Sequence, residues 1–135
     1  TRVIGYSIVL TILFGTLITL LSIRSDVEAT VLRTPGILYQ EQPGNKVSNL
    51  YNVNIVNKTF KPMHLEFKML EPAGEVKWVG NGIQTIGQQD IAIGEFFVIL
   101  SKSDIHQTKT KIKIEILSDG KHIETVKSNF IGPTN

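Results

Sequence analysis

An uncharged stretch at residues 3–23 constrains this chain more than any other feature. Arg2 precedes it and Arg24 follows it, and between these two arginines there is neither a charged residue nor a proline. At about 1.5 Å per residue, a helix of this length reaches roughly 30 Å, the thickness of the hydrocarbon core of a bilayer. The stretch therefore predicts one transmembrane helix, which occupies residues 1–24.

Two other interpretations of this stretch are a secretory signal and a buried helix of a soluble protein. A signal has a shorter apolar core followed by small residues at its cleavage site, whereas residues 25–28 read Ser-Asp-Val-Glu. A buried helix normally carries a polar face, but here the polar positions are only serine and threonine. Both interpretations fit less well than a membrane span. One arginine at each end gives no charge bias that would orient the helix.

The remaining residues, 25–135, have the length of one ordinary domain. The whole chain carries 14 basic and 12 acidic residues, a net charge of +2, and the two signs are interspersed after Arg24. The densest basic group, Lys109, Lys111 and Lys113, alternates with uncharged residues, as on the solvent side of a strand. A nucleic-acid-binding domain concentrates such charges on one face. We therefore expect no nucleic-acid partner.

From residue 25 onward the apolar residues recur with a period of two, which is typical of β-strands. Strands are predicted at 27–33, 47–56, 63–70, 75–79, 96–100, 111–117 and 122–130, with short segments at 37–40 and 83–86. In the second strand Tyr51, Val53 and Ile55 share the expected core face. Asp119-Gly120 between two strands predicts a tight hairpin. About seven strands and no helix predict an all-β, antiparallel β-sandwich of the immunoglobulin-like type.

Two of these strands carry more specific expectations. Residues 63–70 alternate regularly, so one continuous strand should direct Leu65, Phe67 and Met69 inward. Residues 96–100 are apolar without interruption, which predicts either a central strand that is buried on both faces or a strand that adjoins a membrane-proximal surface.

The candidate metal ligands are Met63, His64, Met69 and His106, because thioether and imidazole groups suit copper. Met63 and His64 are neighbours on a predicted strand and point to opposite faces, so they do not converge on one ion. We therefore expect no metal site. The chain contains no cysteine, no Gly-x-Ser-x-Gly motif and no phosphate-binding glycine pattern. The sequence predicts no enzymatic activity, no catalytic residue and no cofactor in this segment.

Three runs of sequence are similar to a known family: Glu-Ala-Thr-Val-Leu-Arg-Thr-Pro-Gly at 28–36, Ser-Asn-Leu-Tyr-Asn-Val at 48–53, and Val-Asn-Lys-Thr at 56–59. They resemble the C-terminal region of FixG-type (CcoG-type) cytochrome c oxidase accessory proteins, where such strands open an immunoglobulin-like domain directly after the last membrane helix. The matching residues are Arg33, Asn49, Tyr51, Asn57 and Thr59. We interpret them as structural, because Asn and Thr beside turns satisfy backbone groups; an interaction role is the alternative.

The resemblance implies that this chain is the tail of a longer protein, with further membrane helices and a module with 4Fe-4S clusters before Thr1. Because that module is cytoplasmic in the family, one more span would place the β domain in the periplasm, on the bacterial inner membrane. The family is implicated in assembly of cbb-type oxidases and in copper handling. The implied partners are lipid, other transmembrane helices of the same protein, and oxidase subunits or copper-delivery proteins.

Three functional hypotheses follow. The first is a non-enzymatic periplasmic interaction domain on a membrane tether, which serves oxidase assembly. The second is a copper-binding module that uses the methionine and histidine candidates. The third is a generic membrane-anchored envelope interaction domain.

Overall fold

The computed structural model describes residues 1–133, which form one long helix, ten strands and a single turn of 3-10 helix at Lys102–Asp104. The long helix is α1 (Arg2–Ser22). The strands are β1 (Val27–Arg33), β2 (Gln40–Gln42), β3 (Lys46–Asn57), β4 (Met63–His64), β5 (Glu66–Glu71), β6 (Glu75–Trp78), β7 (Thr85–Ile86), β8 (Ile91–Ser101), β9 (Lys109–Ser118) and β10 (Lys121–Ile131). The predicted domain, 25–135, thus includes two final residues that lie outside the described part.

Helix α1 is apolar on every side, and none of its residues is buried. Its length and composition are sufficient to cross a membrane. All five serine and threonine hydroxyls donate to the carbonyl four residues earlier, as Ser7 Oγ does to Val3 O at 2.8 Å. Because these polar groups are satisfied within the helix, α1 presents an almost entirely apolar outer surface.

Two antiparallel sheets form the sandwich of the β domain, and β4 and β7 form a small third sheet. In the first, the strand order is β1-β3-β8-β6, and β2 also pairs with β3; in the second, the order is β10-β9-β5. Tyr51 and Phe96 of the first sheet and Ile114 and Phe130 of the second are fully buried in one shared core. The predicted antiparallel β-sandwich is therefore confirmed.

The period-two pattern decides which side of each strand enters this core. In β9, Ile112, Ile114 and Ile116 are fully buried, whereas Lys111 is exposed and the alternate residues Lys113 and Glu115 are half-buried. Burial of each isoleucine contributes on the order of 1.5–3 kcal/mol. The same alternation buries Tyr51 in β3, as the sequence predicted.

The β9–β10 hairpin has the geometry that its sequence predicts. Ser118 pairs with Lys121 across a two-residue turn. Asp119 and Gly120 both have positive φ, 51° and 79°, which matches the right-handed twist of the flanking strands.

The strand predicted at 63–70 is wrong in its continuity. The chain changes partners at Leu65: β4 pairs with β7 in a separate two-stranded sheet, whereas β5 pairs with β9. At the change, the Leu65 N–H donates to Gln84 O at 3.0 Å. Leu65 and Phe67 are buried as predicted, and Met69 is half-buried. A continuous hydrophobic alternation does not reveal which neighbour each residue pairs with.

The segment at 96–100 does lie in a central strand, but its burial on both faces was wrongly predicted. Phe96, Val98 and Leu100 are fully buried, whereas Phe97 and Ile99 are half-buried. The reason is architectural: β8 lies between β3 and β6, and only one face of that sheet packs against the second sheet. The short pairing segment also lies at β2 rather than at 37–40.

Trp78 packs edge-on against Phe67 and Phe96, with ring centroids 4.9 Å and 5.3 Å away. Gly94 of β8 makes room for this cluster. A Cβ atom there would lie 3.1 Å from both Trp78 Cζ3 and Ile83 Cδ1. Trp78 therefore closes one side of the core, next to the central strand.

We expect Leu100→Ala to lower the free energy of unfolding by about 2–5 kcal/mol, because it opens a cavity in a fully buried site. The matched control is Leu38→Ala, since Leu38 is 67% exposed and should change stability by less than about 0.5 kcal/mol. Urea unfolding of the chain in detergent micelles, followed by Trp78 fluorescence, measures both. Equal effects of the two substitutions would contradict the described core.

Candidate interaction sites

Three loops at the end of the β domain next to α1 are joined by backbone hydrogen bonds. Residues 23–26 connect α1 to β1, and β1 pairs with the end of β3 through Val27 and Asn57. The segment that begins at the last residue of β3, residues 57–61, is bound to the connection by the Lys58 N–H, which donates to Asp26 O at 2.9 Å. The Gln89 N–H of the loop before β8 donates to Thr59 O at 3.0 Å. We call residues 57–61 the proximal loop.

Asn57 organises the proximal loop from a fully buried position. Its Nδ2 donates to Lys61 O at 2.8 Å and to Gly87 O at 2.9 Å. Its Oδ1 accepts from the N–H of Thr59 at 3.0 Å and from the Thr59 hydroxyl at 2.7 Å. The side chain therefore satisfies all its polar atoms and holds two loops together. Although Asn57-Lys58-Thr59 has the form of a glycosylation acceptor, both amide hydrogens are occupied.

Arg33 lies at the other end of β1, opposite Tyr51. Its Nη1 donates to the carbonyls of Thr34 and Ile37. These bonds hold the turn that follows β1. Of the motif residues, Arg33 is thus at the distal end of the sandwich, and Asn57 and Thr59 are at the end next to α1.

Asn49 and Tyr51 connect the two sheets. The Asn49 amide donates to Ile131 O at 2.8 Å and accepts from Ile131 N–H at 2.9 Å, as a backbone partner in a sheet would. The Tyr51 hydroxyl donates to Asn129 O at 2.7 Å. Since both side chains come from β3 and both acceptors from β10, these bonds align the two sheets.

Burial gives Tyr51 an unusual ionisation. Tyr51 is fully buried, and its desolvation raises the pKa of the hydroxyl far above its ordinary value of 10.0, while the nearby charge of Arg33 lowers it by less. The hydroxyl therefore remains protonated, and a hydrogen-bond donor, throughout the neutral range.

The candidate copper ligands Met63, His64 and His106 lie in different surroundings, and Met69 lies in β5, paired with Ile114. Met63 lines a groove of about 520 Å³ beside the connection to α1, with Asp119 and His122. His106 lines a separate depression, and the ring of His64 bonds with Thr85 Oγ1 at 2.9 Å. Among residues 1–133, no three His, Cys, Asp or Glu side chains form a group that could hold a metal ion.

The groove beside the connection was missed by the sequence reasoning. It joins Asp26, Met63 and the β9–β10 turn, which are distant in sequence. The hairpin at Asp119-Gly120 was predictable, but its position next to α1 depends on how the two sheets are arranged.

We expect Asn57→Ala to lower the free energy of unfolding by about 2–3 kcal/mol, because the carbonyls of Lys61 and Gly87 lose their donors. Asn54→Ala is the matched control on the same strand, since Asn54 is exposed, and should change stability by less than about 0.5 kcal/mol. Urea unfolding measures both changes. In addition, amide exchange at Thr59 should accelerate in Asn57→Ala alone; unchanged exchange there would contradict the network.

We expect Tyr51→Phe to cost about 1–2 kcal/mol near pH 7, because Asn129 O loses its buried donor. The raised pKa of Tyr51 means that the folded protein keeps the proton after the unfolded chain has lost it. The contribution of the Tyr51 hydroxyl to the free energy of unfolding is therefore fully present below about pH 10. Above pH 10 it falls by about 1.4 kcal/mol per pH unit. The difference between wild type and Tyr51→Phe should therefore narrow above pH 10. Urea unfolding between about pH 8 and pH 11 measures it, and a constant difference contradicts the assignment.

Comparisons with known proteins agree with this architecture. A family model described as "IG-like fold at C-terminal of FixG, putative oxidoreductase" matches residues 17–133. Among solved structures, that of a FixG-related protein from Vibrio parahaemolyticus superposes with a TM-score of 0.54 at 20% identity, over 80% of this chain and 97% of that chain. No curated protein matched. The predicted resemblance and the immunoglobulin-like fold are confirmed. Since the family match spans most of its length, this chain belongs to the family of FixG C-terminal immunoglobulin-like domains.

Proposed function

We propose that this chain is a membrane tether followed by a non-enzymatic interaction domain, within an iron–sulfur accessory protein of the FixG type. In this proposal α1 spans the bacterial inner membrane, and the β domain lies in the periplasm. There the domain contacts oxidase subunits or copper-delivery proteins during assembly of cbb-type oxidases. The 4Fe-4S clusters belong to the part of the protein before Thr1.

The observation that carries the proposal is the combination of a wholly exposed apolar helix with a short connection to a folded domain. None of the residues of α1 is buried, so water would meet an apolar surface on every side. Exposure of this apolar surface to water is unfavourable in free energy, and burial of the helix in lipid removes the unfavourable contact. Residues 23–26 then keep the β domain directly at the membrane surface.

An interaction role is supported by the outer face of the first sheet. Leu32 of β1 and Ile91 and Ile93 of β8 are 64%, 58% and 74% exposed on this face. Ile91 and Ile93 are neighbours on this face, whereas Thr30 and Asn54 lie between them and Leu32. Adjacent exposed apolar groups are a feature of surfaces that bind other proteins. The buried motif residues Asn49, Tyr51 and Asn57 hold the scaffold that presents this face.

Copper binding by this segment is not supported by the described residues. Met63, His64 and His106 have separate surroundings, and a copper site needs at least two such ligands at one point. The family match to residues 17–133 favours the FixG-type hypothesis over that of a generic envelope interaction domain.

The proposal is tested in cells that depend on the full-length protein. We expect removal of residues 27–133, and Ile93→Asp alone, to lower the amount of assembled cbb-type oxidase several-fold, because an unpaired charge at position 93 would lose its hydration in a protein contact. Leu38→Asp is the control, since Leu38 is similarly exposed but lies in the loop after β1. Haem spectra and oxidase activity measure assembly, and the iron–sulfur signal of the protein shows that it is present.

Normal oxidase levels after removal of the β domain, with the iron–sulfur signal retained, would overturn the assembly role. Bacterial alkaline phosphatase fused after the β domain tests the location separately. We expect the fusion to be active, because alkaline phosphatase is active only in the periplasm. A stable but inactive fusion would overturn the periplasmic location.

A further inference from the structure

Phe60 is an unusual residue in the proximal loop. It is 78% exposed, the highest value among the exposed large hydrophobic side chains of the described residues. A phenylalanine held in water loses the free energy that burial of its ring would provide. Phe60 is flanked by polar and basic neighbours, in the sequence Lys58-Thr59-Phe60-Lys61. An isolated exposed apolar residue needs no explanation by itself, but Phe60 is distinguished by its position in the fold.

The proximal loop is adjacent to the point where the chain leaves α1. Lys58 N–H donates to Asp26 O at 2.9 Å, and Asp26 is only three residues beyond Ile23, the last apolar residue of the stretch. Three residues span at most about 11 Å. The polar zone on each side of the hydrocarbon core is itself roughly 5–8 Å thick. If α1 spans a bilayer, the proximal loop therefore cannot be far from the lipid headgroups.

The loop presents Phe60 in a fixed conformation. Asn57 binds the backbone on both sides of Phe60, at Thr59 N and at Lys61 O. The Thr59 hydroxyl also contacts Lys61 O, at 3.0 Å. Since the backbone is already ordered by these bonds, insertion of the ring into lipid costs little further conformational entropy.

The charges beside Phe60 on its own loop are basic, whereas the neighbouring loops carry the exposed acidic residues Asp26 and Asp90. Arg24 at the end of the apolar stretch and Lys61 beside Phe60 are exposed, and basic groups near a membrane are attracted to anionic lipids. Lys58 makes a 2.9 Å ion pair with Glu28, so the nearest acidic group on β1 is neutralised. An aromatic ring with basic neighbours is typical of residues at the boundary between headgroups and acyl chains.

We propose that Phe60 inserts into the headgroup region of the same membrane that α1 spans, as a second attachment that holds the β domain against the lipid surface. The proposal rests on the proposed tether and goes beyond it, because a tether alone leaves the domain free to tilt. In this arrangement the Asn57 and Thr59 contacts have a functional purpose: they position Phe60. The distal loop after β1, with Leu38, points away from the membrane.

The absence of cysteine from the chain permits a direct test with single spin labels. Phe60→Cys, Leu38→Cys and Leu10→Cys are labelled separately and placed in vesicles of phosphatidylcholine with about one quarter phosphatidylglycerol. Power saturation then compares collisions of each label with oxygen, which concentrates in lipid, and with a nickel complex, which stays in water. Leu38 is the matched control, because it is also exposed, at 67%, and lies at the distal end.

We expect the oxygen-to-nickel ratio at position 60 to exceed that at position 38 by about fivefold, and the ratio at position 10 to be higher still. Equal ratios at 60 and 38, with a high ratio at 10, would overturn the Phe60 attachment and leave the tether intact. A low oxygen-to-nickel ratio at position 10 would overturn both the Phe60 attachment and the transmembrane tether. Protection of position 60 from both reagents would indicate a protein contact there, and would also overturn attachment to lipid.

A second measurement keeps the native ring in place. A label at Lys61→Cys reports on the loop in the presence of Phe60, of Phe60→Asp, or of Leu38→Asp. We expect Phe60→Asp to raise nickel accessibility at position 61 several-fold, because the charged side chain is expelled from the interface, and Leu38→Asp to leave it unchanged. No difference between Phe60 and Phe60→Asp would overturn the proposal.

Discussion

The structure depends on the requirement that buried polar groups find hydrogen-bond partners. Strand β3 pairs with β1, β2 and β8, and its core face carries Asn49, Tyr51 and Asn57, all of them buried. An unpaired amide or hydroxyl in this position would cost on the order of 1–3 kcal/mol. Each therefore restricts the chain to arrangements in which a specific carbonyl lies opposite. For Asn49 and Tyr51 the carbonyls belong to β10, so the polar groups select one alignment of the two sheets among those that hydrophobic burial alone would allow.

The same requirement acts locally at the end of β3. Asn57 is the last residue of that strand, and its amide binds Lys61 O and Gly87 O. One side chain thus joins the loop after β3 to the loop before β8. The backbone bond between Lys58 and Asp26 adds the connection to α1. The part of the domain next to the helix is therefore ordered by polar contacts, whereas the centre is ordered by apolar ones such as the stacking of Tyr51 on Phe96. This division explains how a small sandwich without disulfides can hold loops that contribute little to its core.

The strands were largely predictable, because their hydrophobic alternation is a local property. β1 coincides with its predicted bounds, and the Asp119-Gly120 turn has the positive φ angles that its residues favour. The break at Leu65 was not predictable, since the side-chain pattern continues unchanged through it while the pairing partner changes. For the motif residues, a backbone-binding role could be expected for Asn and Thr beside turns. The backbone partners of Asn49 and Tyr51, at Ile131 and Asn129, are some eighty residues away. No local pattern indicates contacts at that separation.

The sequence alone determined that residues 3–23 form an apolar helix and that alternating strands follow, because length, hydrophobicity and period-two patterning need no knowledge of distant residues. It also carried the motifs by which the family was recognised. Only the tertiary structure decided which loops share an end with the helix, and that Phe60 lies there exposed on a loop held by Asn57. Position in space depends on how the sheets pair and pack, and these long-range contacts are the sum of many weak interactions that no short stretch of sequence contains.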